Sequence, residues 1–238
     1  MEKKSFLSLC AGLASIAVAH RMLAEAGRAD EFTKWPKAML ADGAGKPINA
    51  RRLETREALV FAYPYVSTPC FLINLGAPAD PVEVSDKSGV SYHWPGGAGP
   101  ARSVVAYSAI CGHLLSYPSK RRSVISYSSG PNNFSGHGHV VACCAHHSAY
   151  DASRGAVILS GPAPQPLATI ILQYEPATEA LYATGVLGRA LFDDFFVAYK
   201  KELVETYGPG QSKRMVEGRT VATPLSQYSD NVVSASLC

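Results

Sequence analysis

The chain has 238 residues, of which 47% are hydrophobic, so it is long enough for one domain with a substantial core plus additional segments. Its formal net charge is only +3, and its basic residues are spread along the sequence rather than clustered. This excludes the strongly basic surface typical of nucleic-acid-binding domains, and we expect no nucleic acid partner.

The N-terminus, residues 1–24, has the pattern of a signal peptide or membrane anchor. Lys3 and Lys4 precede an apolar run over residues 6–19, and an Ala-Val-Ala triplet ending at Ala19 offers a cleavage site of the A-x-A type. The run is shorter than the about 20 residues that a spanning helix needs. Cleavage and retention as an anchor in the inner membrane both stay open, and both predict export to the periplasmic side. The alternative is the first helix of a cytosolic domain.

Residues 25–57 are polar and mixed in charge. Trp35-Pro36 and a stretch with Gly and Pro over residues 41–47 interrupt any long helix. We therefore predict a tether that lays the following domain on a partner or lets it swing between partners.

From residue 58 to residue 188 short apolar runs are punctuated by Pro and Gly, which indicates β-strands. The runs occupy residues 58–65, 71–75, 103–108, 140–143, 156–159, 168–174 and 180–186. Such spacing predicts an all-β domain, either an antiparallel sandwich or a small barrel.

Two motifs in this domain combine Cys with His. Cys111-Gly112-His113 is C-x-H, and the stretch from Cys143 to Asp151 is C-x-x-H-x-S-x-Y-D. Two thiolates and two imidazoles can hold zinc, or a 2Fe-2S cluster in which imidazoles on one iron ease reduction. Hydroxyl groups at fixed offsets favour the cluster, because donors to sulfur stabilise its reduced state. A redox-inert zinc-binding or metal-free structural protein stays the alternative.

The motifs resemble those of Rieske iron-sulfur proteins. The resemblance implies the Rieske fold of stacked antiparallel sheets with an inserted cluster-binding subdomain. It also implies one 2Fe-2S cluster, with Cys111 and Cys143 on the inner iron and His113 and His146 on the outer iron.

In the same resemblance, residues after the second motif surround the cluster. Ser148 donates to a bridging sulfide and Tyr150 to a cysteine sulfur, so both raise the reduction potential. A loop over the cluster is formed by Gly161, Pro162, Ala163 and Pro164.

Adjacent Cys and His residues leave two registers for the second motif. Aligning Ser148 and the residues after it with the family pattern makes Cys143 and His146 the ligands. Pairing Cys144 with His147 keeps the C-x-x-H spacing but breaks the downstream offsets.

The sequence also limits which disulfides the chain can form. Quinol-oxidising Rieske proteins join their two cluster loops by a disulfide, but the corresponding positions here are Ser116 and Ala145. The resemblance therefore implies a more labile cluster. A bridge between Cys70 and Cys238 is one hypothesis, and a buried unpaired thiol at Cys70 is the simpler one.

Flanking residues from about 61 to 188 are similar to the small subunit of arsenite oxidase. This implies a one-electron carrier that does not catalyse a turnover by itself. It would be the electron-transfer subunit of an exported bacterial-type oxidoreductase, with a large, molybdenum-dependent redox subunit and a cytochrome or similar acceptor as partners. The Rieske subunit of a quinol-oxidising cytochrome bc-type complex is the alternative.

Two segments exceed what the resemblance requires. Residues 114–142, rich in Ser, Gly and Asn and containing a basic triplet at Lys120, predict a loop that docks a partner or is simply tolerated. The C-terminal extension, residues 189–238, predicts an amphipathic helix over 191–207 and an extended tail able to wrap a large subunit.

Overall fold

An eight-stranded sheet dominates residues 32–238, the part of the chain that the computed structural model describes. The strands of the whole region are β1 (Phe32–Ala41), β2 (Leu59–Ala62), β3 (Pro69–Asn74), β4 (Val82–Ser85), β5 (Ser91–Trp94), β6 (Val104–Ser108), β7 (Ile125–Ser128), β8 (Val140–Cys143), β9 (Ser148–Asp151), β10 (Val157–Ser160), β11 (Thr169–Glu175), β12 (Ala180–Leu187), β13 (Gly218–Val221) and β14 (Thr223–Pro224). The large sheet has the order β13-β1-β12-β11-β6-β3-β2-β14.

The two ends of this sheet come from one short stretch of chain. β13 pairs in parallel with β1, and β14, one residue further on, pairs antiparallel with β2. The Ala222 amide between them donates to the Ala41 carbonyl, and the Ala62 amide donates to Thr220 Oγ1 at 3.2 Å. Because the same segment reaches both edges, the sheet nearly closes into a barrel and leaves little unpaired edge.

The central strands bury both faces. In β3, Phe71 and Ile73 belong to one apolar cluster, whereas Cys70 and Leu72 belong to another. This follows from the two-residue period of a strand, and the apolar sequence of β3 from Pro69 to Ile73 matches its position between two cores.

A second, four-stranded antiparallel sheet has the order β10-β9-β8-β7, and β4 and β5 form a separate hairpin. The first apolar cluster joins the small sheet to the large one, with Ile125 and Tyr150 packed in the same cluster as Tyr107 and Trp94. The small sheet carries the second Cys-His motif at the turn between β8 and β9.

The predicted all-β architecture is confirmed, and each of the seven predicted runs overlaps an observed strand. The prediction of a tether over residues 25–57 needs correction within the described residues. β1 lies inside that segment and pairs with both β12 and β13, so this part of the chain belongs to the sheet.

The C-terminal extension also differs from its prediction. The helix expected over 191–207 is divided at Tyr199 into α1 (Phe192–Ala198) and α2 (Lys200–Tyr207). The tail, expected to wrap a partner, instead supplies β13, β14 and the one-turn helix α3 (Leu225–Tyr228) to its own domain. Residues 114–142 are not only loop, since they include β7 and the start of β8.

The predicted signal or anchor over residues 1–24 lies outside the described residues. From residue 32 to the C-terminus, no helix is both long and apolar enough to cross a membrane.

Candidate metal centre

Two loops bring the predicted ligands to one end of the small sheet. The first loop, residues 111–116, follows β6. Its shape is held by hydrogen bonds from the Cys111 amide to the Ser116 carbonyl at 2.8 Å and from the Leu115 amide to the Cys111 carbonyl at 3.1 Å. A left-handed residue, Leu115 with φ of 59°, allows the tight turn.

The second loop, residues 143–147, connects β8 to β9. The amides of His146 and His147 both donate to the Cys143 carbonyl, at 3.3 and 2.8 Å. His147 has φ of 59°, the left-handed conformation that favours glycine. The turn thereby points His146 and His147 differently, because His147 is exposed whereas His146 is half-buried.

The thiol groups of Cys111 and Cys143 form a buried pair. A hydrogen bond with Cys143 lowers the pKa of Cys111 to about 6, against the opposing effect of burial, and the Tyr150 hydroxyl lowers it further. The same contact raises the pKa of Cys143. The pair therefore carries one thiolate readily, and the thiolate is the form that binds metal.

The imidazole rings of His113 and His146 form a second pair. Their centroids lie 4.9 Å apart and their planes meet at 80°. The Nδ1 atom of each ring is buried and has no hydrogen-bond partner among residues 32–238. Because such atoms are costly unless something else satisfies them, both nitrogens are suited to bind a metal.

The donors lie as two pairs rather than as one group around a point. Within the described part of the chain, no three His, Cys, Asp or Glu side chains gather closely enough to hold a single metal ion. One pair of thiols and one pair of imidazoles is the donor set that a two-iron Rieske cluster uses. The residues present therefore fit that group.

Tyr150 and Ser148, both from β9, lie beside the thiol pair and are fully buried. The Tyr150 hydroxyl is 3.3 Å from Cys111 Sγ and accepts a hydrogen bond from the Gly112 amide at 3.1 Å. Burial raises the pKa of Tyr150, so the hydroxyl keeps its proton. Ser148 Oγ accepts a hydrogen bond from the Ala163 amide at 3.2 Å, which leaves its own proton available to another acceptor.

The cover loop, residues 161–164, packs directly on the second loop. Gly161 has φ of 89°, and a Cβ atom placed there would lie 2.2 Å from the His147 carbonyl oxygen. The loop is also held from outside, since Lys87 Nζ donates to the Gly161 carbonyl and the Lys87 amide donates to the Pro164 carbonyl. Ala163 is buried, whereas Pro162 and Pro164 are exposed.

The observed disulfide differs from the hypothesis of a bridge between Cys70 and Cys238. Cys238 is joined to Cys144, with the Cα atoms 5.2 Å apart. Cys70 is a buried, unbridged thiol on β3. Its side chain packs in the sheet interior, so it cannot reach the C-terminal residue.

Two further residues support the site but have no predicted role in the motifs. Gly112 is one, because its amide binds Tyr150 and a Cβ atom there would lie 3.1 Å from the Gln165 carbonyl oxygen. Lys87 is another, and its distance from the motifs in sequence leaves no local signal. For Gly112, the position between two predicted ligands is a sequence signal of close packing.

No protein-family model matches the chain, but individual proteins are similar to it. The iodate reductase subunit IdrB of Denitromonas iodatirespirans is 31% identical over 158 residues, which cover 64% of this chain and 68% of that protein. IdrB of Pseudomonas sp. (strain SCT) is 28% identical over 153 residues, covering 64% and 65% respectively. The match thus spans about two thirds of the length of each relative.

Among solved structures, the soluble domain of the Rieske protein II (soxF) from Sulfolobus acidocaldarius matches 66% of this chain and 82% of that chain. The sequence identity is 26% and the TM-score is 0.46. The family itself rests on the curated relative with 31% identity, which agrees with the resemblance predicted from the two motifs. The chain belongs to the Rieske iron-sulfur protein family.

Proposed function

We propose that this protein carries one electron at a time by means of a Rieske 2Fe-2S cluster. The observation that carries the proposal is the pair of buried Nδ1 atoms on His113 and His146. They lack hydrogen-bond partners among the described residues, and the same two loops carry a pair of buried thiols. Bound there, the cluster would supply a centre that is readily reduced by one electron.

In this proposal Cys111 and Cys143 hold one iron and His113 and His146 the other. The structure favours this register over the alternative because Cys144 is engaged in a disulfide and His147 is exposed. The hydroxyl groups of Tyr150 and Ser148 tune the reduction potential, and the cover loop limits access of water to the site.

The protein would act as the electron-transfer subunit of an exported oxidoreductase. The names of its relatives, subunits of iodate reductase, support a separate catalytic subunit that acts on a small oxyanion. A cytochrome or similar carrier would stand at the other end of the electron path. A molybdenum-dependent catalytic subunit is part of the same proposal.

Export to the periplasmic side is supported by chemistry as well. The Cys144–Cys238 disulfide is of the kind that persists in oxidising compartments and is rare in the cytosol. Attachment to the inner membrane, if present, would depend on residues 1–24.

The test is metal analysis and EPR spectroscopy of the purified protein before and after ascorbate. We expect iron and acid-labile sulfide in equal amounts and a rhombic signal that appears with ascorbate. Stoichiometric zinc without iron would overturn the proposal in favour of a redox-inert protein.

Adjacent histidines provide a matched pair of variants for the ligand assignment. His146→Ala should abolish the rhombic signal, whereas His147→Ala should retain it, because of these two residues it is His146 whose Nδ1 atom is buried and lacks a partner among residues 32–238. The opposite result would show that the second motif is used in the other register.

A further inference from the structure

The C-terminal extension contacts the second loop of the candidate metal centre and the residue directly after the first loop. Its helices lie against the residue that follows the first loop, and its last ten residues lie against the small sheet and end at the second loop. We call residues 229–238 the strap.

The contact with the first loop is aromatic. Tyr117, the residue directly after that loop, packs edge-on against Phe195 and Tyr199, with ring centroids 4.9 and 4.7 Å away. Its hydroxyl donates to Glu202 Oε1 at 2.6 Å. Phe195 is fully buried, so this contact connects the first loop to a rigid part of the fold.

The strap runs alongside the start of β7. The Ser123 amide donates to the Asn231 carbonyl and the Val233 amide donates to the Ser123 carbonyl, both at 2.8 Å. Further on, Ser126 Oγ donates to the Val233 carbonyl and accepts from the Ala235 amide, both at 2.8 Å.

Packing adds to these hydrogen bonds. Ala235 is 1% exposed and lies in a small apolar cluster with residues of β8 and β9, namely Val140, Ala142 and Ala149. The strap is therefore packed against the small sheet and hydrogen-bonded to it.

The strap ends in a covalent bond to the second loop. Cys238 forms a disulfide with Cys144, the residue next to the proposed ligand Cys143, across a sequence separation of 94 residues. Ser116 and Ala145 leave the two loops without a disulfide between them. Within residues 32–238, the only disulfide of the second loop therefore joins it to Cys238.

We infer that the C-terminal extension is a clamp that holds the two loops together around the cluster, with the Cys144–Cys238 disulfide as its lock. This rests on the proposed function, since it assigns the extension to retention of that cluster. Each loop supplies one thiol and one imidazole, so movement of either loop separates ligands that must act together. The strap and its disulfide restrict the second loop, and Tyr117 restricts the first.

A water-soluble phosphine tests the lock in the intact protein. The phosphine takes oxygen from water and becomes a phosphine oxide, while the disulfide gains two electrons and two protons and becomes two thiols. We expect cluster loss, followed by visible circular dichroism in air, to become roughly tenfold faster once the disulfide is open. Ascorbate is the control, because it reduces the cluster without opening the disulfide.

Variants test the same point without a reductant. Cys238→Ser, Cys144→Ser and the double variant should all lose the cluster at the faster rate, and the double variant should be no faster than either single one. The phosphine should have no further effect on the double variant. Ser226→Ala, at an exposed serine of the C-terminal extension outside the strap, is the matched control and should behave as the wild type.

Amide hydrogen exchange separates failure of the clamp from failure of the proposed function. In protein without metal, the amides of His146 and His147 should exchange faster after the disulfide is opened, since they depend on the turn that Cys144 belongs to. Absence of iron from every preparation would refute the electron-transfer proposal alone. Unchanged exchange and unchanged cluster lifetime after the disulfide is opened would refute the clamp.

The helical half of the clamp has its own variants. Tyr117→Ala should speed cluster loss, because it removes the aromatic contact with Phe195 and Tyr199, whereas Tyr117→Phe should have a smaller effect because only the bond to Glu202 is lost. Equal lifetimes for wild type and Tyr117→Ala would remove the helices from the clamp.

Discussion

The Tyr150 hydroxyl lies 3.3 Å from Cys111 Sγ and at the same time accepts the Gly112 amide hydrogen at 3.1 Å. Because the amide occupies a lone pair of the oxygen, the hydroxyl proton is directed to the sulfur. The backbone of the first loop therefore orients the donor that acts on its own cysteine. This contact stabilises negative charge on Cys111, which is the charge that increases when an attached cluster is reduced.

Replacing Tyr150 with Phe should lower the reduction potential while the cluster stays bound. Loss of a hydrogen bond to a charged sulfur removes part of the stabilisation of the reduced state. We expect a fall on the order of 60 mV, the value for a tenfold change in a one-electron equilibrium. A redox titration followed by EPR measures it.

Tyr127→Phe is the matched control for this substitution. Tyr127 is also a buried tyrosine of the small sheet, but its hydroxyl pairs with His139 Nδ1 at 2.8 Å rather than with sulfur. Its removal should leave the potential unchanged. A potential that moves equally in both variants would mean that general loosening of the subdomain, and not the contact with Cys111, sets the effect.

Ser148→Ala should lower the potential and also loosen the cover loop. Ser148 Oγ accepts from the buried Ala163 amide, so the variant leaves that amide without its partner, at a cost of about 1–3 kcal/mol. The midpoint of urea denaturation and the potential should both fall. Ser160→Ala, an exposed serine on β10, should change neither. A lower potential with unchanged stability would contradict the structural half of this role.

The strands and both Cys-His motifs were predictable because their signals are local. β3 is apolar from Pro69 to Ile73, and the offsets after Cys143 are fixed by the adjacent β9. β1 was missed because Pro36 interrupts it and proline normally ends a central strand. In the structure, the register with β12 shifts between Lys34 and Ala38, and this irregularity accommodates the proline.

The C-terminal contacts could not be predicted because they join residues that are far apart in sequence. β13 and β14 are short, and their apolar and polar residues alternate only weakly. They become strands through pairing with β1 and β2. The partner of Cys238 depends likewise on the strap reaching the second loop. The role of Lys87 could not be predicted for the same reason, because its contact with the cover loop spans 74 residues.

Stability should fall in mild acid because of His139. Burial lowers the pKa of His139. The Asp151 carboxylate acts in the opposite direction, and His137 lowers the pKa further. On acidification the unfolded chain therefore binds a proton near its ordinary pKa of about 6.5 while the folded protein does not. The stabilisation present above that pH is lost as the pH falls through the lower pKa of the folded state.

Urea unfolding of wild type and His139→Asn at a series of pH values checks this. Asn does not titrate, and it tolerates the left-handed backbone of position 139, where φ is 57°. The difference in free energy of unfolding between the two proteins should be constant above about pH 7 and should shift against the wild type on acidification. A difference that is independent of pH would show that another group causes the acid sensitivity.

Gly161→Ala should displace the cover loop, and Gly89→Ala shows how much of its effect is steric. The two glycines have nearly the same φ, 89° and 87°, so both substitutions incur backbone strain of roughly 1–2 kcal/mol. At position 89 a Cβ atom meets nothing within 4 Å, whereas at position 161 it would lie 2.2 Å from the His147 carbonyl oxygen and 2.6 Å from Ser148 Cα.

Thermal unfolding should therefore show a larger loss of stability for Gly161→Ala. This loss should be accompanied by faster release of iron, while Gly89→Ala retains iron at the wild-type rate. Similar losses in the two variants would mean that the cover loop can move away from the second loop without consequence, and that its close packing does not protect the site.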